Sequence, residues 1–205
     1  MAGEWQGHWC YHGPAMPQTP IDLDHFSRRL ASRQRKPIPI DVRPRAAVLI
    51  ALYGPGPDYR VLYTVRTHHV EHHKGEISFP GGGRDPEDGS EVHTALREGH
   101  EEIGVVPSDV QVVGLLDDMV TRTNFVVTPI VGRLARHPYP FVHAPLEVAE
   151  ILEVPLSHLQ DAANYTTHPQ LPPDRQPSFP SYRFGEHIIF GATARMTGHF
   201  LALLQ

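Results

Sequence analysis

The chain has 205 residues, a formal net charge of −5 and 40% apolar residues, a composition that suits one soluble globular domain with a substantial core. It contains no Lys/Arg block, so the electrostatic footprint of a nucleic-acid partner is missing. Its single cysteine, Cys10, excludes an internal disulfide and any CxxC metal site, and makes a reducing, cytoplasmic setting the expectation.

Residues 1–18 are polar, aperiodic and dotted with aromatics, which predicts a flexible tail ahead of one domain over 19–205. The first residues form neither a basic n-region nor an apolar run, and the longest apolar run, 46–53, is far short of a membrane span. Neither export nor a membrane partner is expected. "TPIDLDHFSRRLASRQRKP" predicts a helix with Thr19 as its cap, Pro20 at its first position, and Ile21, Phe26 and Leu30 on one apolar face, ended by Pro37 and Pro39. Two apolar runs flanking Gly-Pro-Gly-Pro-Asp, in "AAVLIALYGPGPDYRVLYTVR", predict a strand hairpin. Further strands are expected over 112–116, over 125–134 and in "EVAEILEVPL", with a short helix around Ser157. The proline-rich segment 168–180 reads as a loop. A hairpin around Gly185 then leads to a terminal helix over 192–204, with Ala194, Phe200, Leu201 and Leu204 on its core face. The class is α+β, a mixed β-sheet sandwiched between α-helices.

The densest chemistry lies in "FPGGGRDPEDGSEVHTALREGHEEIGV", 79–105. Asp88 followed three residues later by Glu91 has the spacing of a capping box, so a helix is expected to start near Gly89 or Ser90 and to stop at Gly104. At roughly 100° per residue, Val92, Leu96, Gly99 and Ile103 fall on the core side, while Glu98, Glu101 and Glu102 share an arc of about 100° on an exposed side. Like charges at these spacings, and an interior glycine, both cost a helix stability. A solvated acidic face is the ordinary explanation, but such faces intersperse lysines, and here only Arg97 accompanies the glutamates. Clustered carboxylates on a rigid element are also what a hard cation such as Mg²⁺ or Mn²⁺ requires, and that cation would offset the repulsion.

These residues resemble the signature of the Nudix hydrolase family at Gly83, Arg97, Glu98, Glu101, Glu102, Gly104 and Val105. The Arg-Glu, Glu-Glu and Gly identities alone arise by chance about once in a million windows at average residue frequencies. The sequence departs at Gly89, where a glutamate is expected, and at Gly99, where an apolar residue is expected. Glu87, Asp88 or Glu91 could replace the carboxylate missing at Gly89. The resemblance implies the Nudix fold and cleavage of a diphosphate linked to another moiety. It also implies Mg²⁺ or Mn²⁺ as cofactor and a small-molecule nucleoside diphosphate as partner, with the protein a monomer or homodimer. Carried over residue by residue, it makes Glu98, Glu101 and Glu102 metal ligands, with Glu98 or Glu101 as base and Arg97 orienting them. A further glutamate outside the signature often contributes in the family, and Glu147 or Glu150 is the candidate, Glu147 being preferred.

Upstream, "LYTVRTHHVEHHKGEISFPGG" is similar to the motif of the coenzyme A pyrophosphatase-like subgroup at Leu62, Thr64, Arg66, Gly75, Phe79, Pro80, Gly81 and Gly82. Tyr63, Thr67 and Glu71 depart from it, and Glu71 places an acid where the subgroup has an arginine. The implied reaction opens coenzyme A or acyl-coenzyme A to adenosine 3',5'-bisphosphate and (acyl)phosphopantetheine. Arg66, Lys74, Gly81, Gly82 and Arg84 are the expected substrate contacts. Other diphosphates (ADP-ribose, nucleotide sugars, dinucleotides) and a non-catalytic binding module are the alternatives. "HHVEHH" also contains the His-x-x-Glu-His spacing of some zinc proteases. That motif needs a buried helix, which Val70, the lone apolar residue between Thr67 and Ile77, does not support.

Overall fold

The computed structural model describes residues 21–55, 58–67, 75–177 and 179–205. The 1–18 tail, Cys10, the "HHVEHH" tract, Glu71 and Lys74 lie outside them. A first helix, α1 (Leu23–Ser32), leads into β1 (Arg45–Tyr53), β2 (Arg60–Arg66), β3 (Ile77–Ser78) and β4 (Gly81–Gly83). Helix α2 (Glu91–Ile103) follows, then β5 (Val110–Leu115), β6 (Met119–Val120), β7 (Val126–Leu134) and β8 (Val148–Pro155). The chain ends with α3 (Leu156–Gln160), β9 (Tyr165–Thr166), β10 (Ser181–Phe184), β11 (His187–Ile189) and α4 (Gly191–Leu204). Among the described residues no helix is long and apolar enough to cross a membrane.

The expected hairpin forms, with β1 and β2 antiparallel at Leu52 and Val61. β1 also runs parallel to β7 along its length, and β4 lies antiparallel to the other end of β1, pairing Ala46 to Val48 with Gly83 to Gly81. These strands belong to one mixed eight-stranded sheet, while β9, β10 and β11 form a small separate sheet. The hairpin expected around Gly185 forms as β10 and β11, paired antiparallel from Tyr182 with Ile189 to Phe184 with His187, whereas β9 and the short strands of the large sheet escape sequence reading because so short a run has no measurable period.

Alternation along β1 divides the core into two layers. Ala47, Leu49, Ala51 and Tyr53 pack with Ala95 and Ile103 of α2. Ile50 and Leu52 pack instead with Leu23, Phe26 and Leu30 of α1 and with Ala194, Met196, Phe200 and Leu201 of α4. The sheet thus lies between α2 on one face and α1 with α4 on the other. On α4, Leu204 is only partly buried, and Met196, Thr193 and Thr197 complete its core face.

Two helix starts differ from expectation. The N-cap of α1 is Asp22, whose side chain accepts the His25 N–H, in place of Thr19, and α1 ends at Ser32, well before Pro37. The N-cap of α2 is Ser90, whose hydroxyl accepts the His93 N–H at 3.2 Å. Asp88 does not cap the helix, because its carboxylate is already committed elsewhere. Gly104 ends α2 as expected, in the left-handed conformation at φ 71° that spares glycine the Cβ penalty.

Candidate active site

The loop from β4 into α2 is tied together by Arg97. Its guanidinium reaches Asp88 through Nε (3.2 Å) and Nη2 (3.0 Å), the carbonyl of Gly83 through Nη2 (2.9 Å), and Glu98 and Glu101 through Nη1, both at 2.9 Å. Asp88 is buried, at 3% exposure, and also accepts the Asp85 N–H at 3.0 Å. The Arg97 hydrogen bonds hold the Asp88 carboxyl well below the usual carboxylate range against the opposing effect of burial. Asp88, one residue upstream of Gly89, thus places a carboxylate on Arg97. At Gly89 itself an added Cβ would meet nothing within 4 Å.

Glu102 does not lie on an exposed face, as the helical arc predicts, but is buried at 3% exposure. It sits only about 60° around the helix from Gly99, and its Oε2 accepts the backbone N–H of Gly81 at 3.1 Å. Burial, reinforced by the nearby Glu98 charge, pushes its carboxyl up to about 7 against the Gly81 hydrogen bond. Arg66 is its cationic neighbour, with Nη1 4.0 Å from Oε1. Glu98 is also raised, by burial first and with Arg97 opposing, and both carboxyls feel the charge of Glu147. Glu101 is the exposed member, its side chain 56% accessible.

Gly82 and Gly81 are each required by what lies against them, the Glu98 carboxylate at the first and the β1 backbone at the second. A Cβ on Gly82 would lie 2.5 Å from the Glu98 carboxylate, and one on Gly81 would lie 2.4 Å from the Ala47 carbonyl oxygen of β1. The glutamates can therefore lie directly on the β4 backbone only because it is bare. Gly99 faces Leu49, 3.2 Å from a Cβ placed there, so that departure belongs to helix–sheet packing.

Glu147 reaches the site by a route that the sequence does not display. The Ala144 N–H bonds the Glu102 carbonyl at 2.9 Å and the Val142 N–H bonds the Ile103 carbonyl at 3.2 Å, which sews the segment before β8 onto the end of α2. The Glu147 carbonyl then accepts the Thr67 N–H next to Arg66. Glu150 points to other chemistry, 3.5 Å from His187. Arg84, an expected substrate contact, donates to the Asp88 carbonyl at 3.1 and 3.3 Å and so braces the same loop.

Among the described residues no group of three His, Cys, Asp or Glu side chains is already arranged around one metal position. The donor set nevertheless fits a hard cation: the charge of Glu147 contributes to raising both Glu98 and Glu102, and Arg66 is the cation beside Glu102. Neutralising that excess negative charge is what a divalent ion does.

With this geometry in view, the NUDIX domain family matches residues 43–183, which covers the sheet, α2 and β10. The chain is 38% identical over 150 residues to an uncharacterized Nudix hydrolase NudL of Photorhabdus laumondii, spanning 73% of this chain and 79% of that protein. It is 40% identical over 121 residues to the NudL of Yersinia pestis strain Pestoides F, spanning 59% and 60% respectively, so it covers less than two thirds of that relative. A MutT/nudix family protein from Enterococcus faecalis superposes with a TM-score of 0.51 at 12% identity, over 89% of this chain and 70% of that one, a likeness of fold alone. The chain belongs to the Nudix family, and its α+β architecture is the Nudix fold. Its enzyme class is Nudix pyrophosphohydrolase, a class that works on small-molecule nucleoside diphosphates with divalent cations, typically Mg²⁺ or Mn²⁺.

Two outcomes follow from this geometry. Gly82→Ala should lower turnover with little change in melting temperature, since only the side-chain end of Glu98 must be displaced and no backbone. Gly81→Ala should lower the melting temperature, by about 2–4 °C for each kcal/mol lost at this chain length, because backbone must move; thermal scans and turnover of the two variants separate them. Asp88→Asn should destabilise the fold by about 1.5–3 kcal/mol at neutral pH. A depressed carboxyl contributes stability that is present above its unfolded pKa of about 4 and fades as pH falls towards its native value. The gap between wild type and Asp88→Asn, measured by denaturant unfolding, should therefore narrow in acid; an unchanged gap would contradict the ion-pair account.

Proposed function

We propose that this protein hydrolyses the diphosphate of coenzyme A or acyl-coenzyme A, with Mg²⁺ or Mn²⁺, to adenosine 3',5'-bisphosphate and (acyl)phosphopantetheine. One observation carries the reading: the upstream motif and the α2 motif meet at Glu102. From the first come Arg66, 4.0 Å away, and the Gly81 N–H, 3.1 Å away; the second supplies the carboxylate itself. Arg66 Nε is buried and has no hydrogen-bond partner among the described residues. An unsatisfied guanidinium donor beside a carboxylate cluster suits a phosphate oxygen arriving with its cation.

In this reading Glu98, Glu102 and Glu147 hold the cation, with Glu101 at the exposed margin. A divalent cation held there would neutralise diphosphate charge and make water a stronger nucleophile. Arg97 keeps Glu98 and Glu101 in fixed positions, so that a base is available to take a proton from the attacking water, and Arg66 and Lys74 bind the phosphates. Gly81 and Gly82 are the proposed backbone contacts to the diphosphate, beside the carboxylates that lie against β4. No residue needs to form a covalent intermediate, because phosphoryl transfer rests on positioning and charge. The active protein is expected to be a monomer or homodimer in the cytoplasm.

The test is a substrate panel of coenzyme A, acetyl-coenzyme A, ADP-ribose, a dinucleoside polyphosphate and a nucleotide sugar, each incubated with Mg²⁺ or Mn²⁺ and read by mass spectrometry. Coenzyme A or its thioester should be cleaved fastest and only with the cation present. Glu102→Gln should cut turnover by about 100-fold or more, the scale expected on losing a group that holds the catalytic ion, while its melting temperature shows a folded protein. Cleavage of ADP-ribose, a nucleotide sugar or a dinucleotide with coenzyme A left intact would move the assignment to that diphosphate, and no cleavage at all would favour a binding module.

A further inference from the structure

The turn that carries Glu147 lies outside the core. Pro145, Leu146 and Glu147 are all exposed, and apolar burial resumes only at Val148. With so little packing around it, the position of this turn depends on its hydrogen bonds.

Those bonds come from two sides. Towards α2, the Ala144 N–H bonds the Glu102 carbonyl at 2.9 Å, while the Ala144 carbonyl accepts the N–H groups of Glu147 at 3.0 Å and Val148 at 2.8 Å. Towards β2, Thr67 donates to two consecutive carbonyls, its N–H to that of Glu147 at 2.9 Å and its hydroxyl to that of Leu146 at 2.8 Å. The pairing of β2 with β8 prepares this contact. Val65 lies opposite Glu150 but Arg66 lies opposite Val148, so the register passes over Ala149 and brings Glu147 level with Thr67. Thr67 is buried, and its branched Cβ restricts the side chain to few rotamers. Of these bonds, only the one from its hydroxyl comes from a side chain. The position is also one at which the sequence departs from the upstream motif.

We propose that Thr67 is a positioning residue for Glu147: its hydroxyl fixes the peptide just before this glutamate, so that the carboxylate reaches the cation from a main chain that does not shift. Groups that orient a metal ligand contribute to affinity without touching the ion. Arg66 adjoins Thr67 in the chain and has its Nη1 4.0 Å from Glu102, so the same clamp sets the Glu147 main chain relative to the guanidinium beside Glu102. The inference rests on Glu147 as a cation ligand, and not on which diphosphate is cleaved.

The experiment is a double-mutant cycle read by electron paramagnetic resonance of Mn²⁺ titrated into the substrate-free full chain, well below the melting temperature of each variant. Thr67→Val keeps the shape and loses the hydroxyl, Thr67→Ala is a second variant without it should valine not fold, and Thr67→Ser keeps it. Thr67→Val should bind Mn²⁺ about fivefold more weakly than wild type, the scale of one hydrogen bond, and Thr67→Ser should bind within about twofold of wild type. In a Glu147→Gln background the Thr67→Val change should have no further effect, because the two residues act as one unit. Undiminished binding by Thr67→Val, equal weakening by Thr67→Ser, or the same fivefold loss with Glu147 already replaced would each overturn the positioning role. Glu147→Gln that binds Mn²⁺ like wild type would instead remove the ligand role of Glu147, and the positioning role with it.

Discussion

Glu102 is a carboxylate buried against the backbone of β4, and much of the site is arranged to make that burial tolerable. A buried carboxylate is costly without hydrogen bonds and a counter-charge. One oxygen receives the Gly81 N–H and the other faces Arg66 at 4.0 Å. These contacts do not bring its proton affinity back to that of a surface glutamate, and the nearby Glu98 opposes them. The Gly81 N–H of β4 and the arginine at the end of β2 both serve this one position. A divalent cation is the partner whose charge would complete it.

Around that position Arg97 and Asp88 form a rigid frame. Arg97 spans Gly83, Asp88, Glu98 and Glu101, and so joins the end of β4 to α2 by side-chain contacts. Asp88 in turn bonds Asp85 and carries the loop between them. The glutamates are thus fixed before any ligand arrives, which favours chemistry that works by positioning charge. In the same frame a carboxylate one residue upstream of Gly89 meets Arg97.

Much of this was legible in the sequence. The β1–β2 hairpin, α2 with its stop at Gly104, and the grouping of Arg97 with the glutamates follow from turn residues, period and motif. Glu102 illustrates the limit: helical angles place it on the carboxylate stripe but cannot say that β4 and the segment before β8 close over it. Asp88 was legible as a carboxylate near a helix start, yet its competing use by Arg97 depends on a loop shape that spacing does not encode, so Ser90 took the cap. The choice of Glu147 over Glu150 rests on two hydrogen bonds from 142–144 to the end of α2, contacts between segments distant in sequence.

The account stands most directly on whether the carboxylates gathered at Glu102 hold a cation without help from substrate. Electron paramagnetic resonance of Mn²⁺ titrated into the substrate-free protein, beside Glu102→Gln and Glu147→Gln, measures this. The account predicts saturable Mn²⁺ binding to the wild type, weakened by about tenfold or more in each variant. Mn²⁺ that stays free at millimolar concentration, or that binds all three proteins equally, would contradict it.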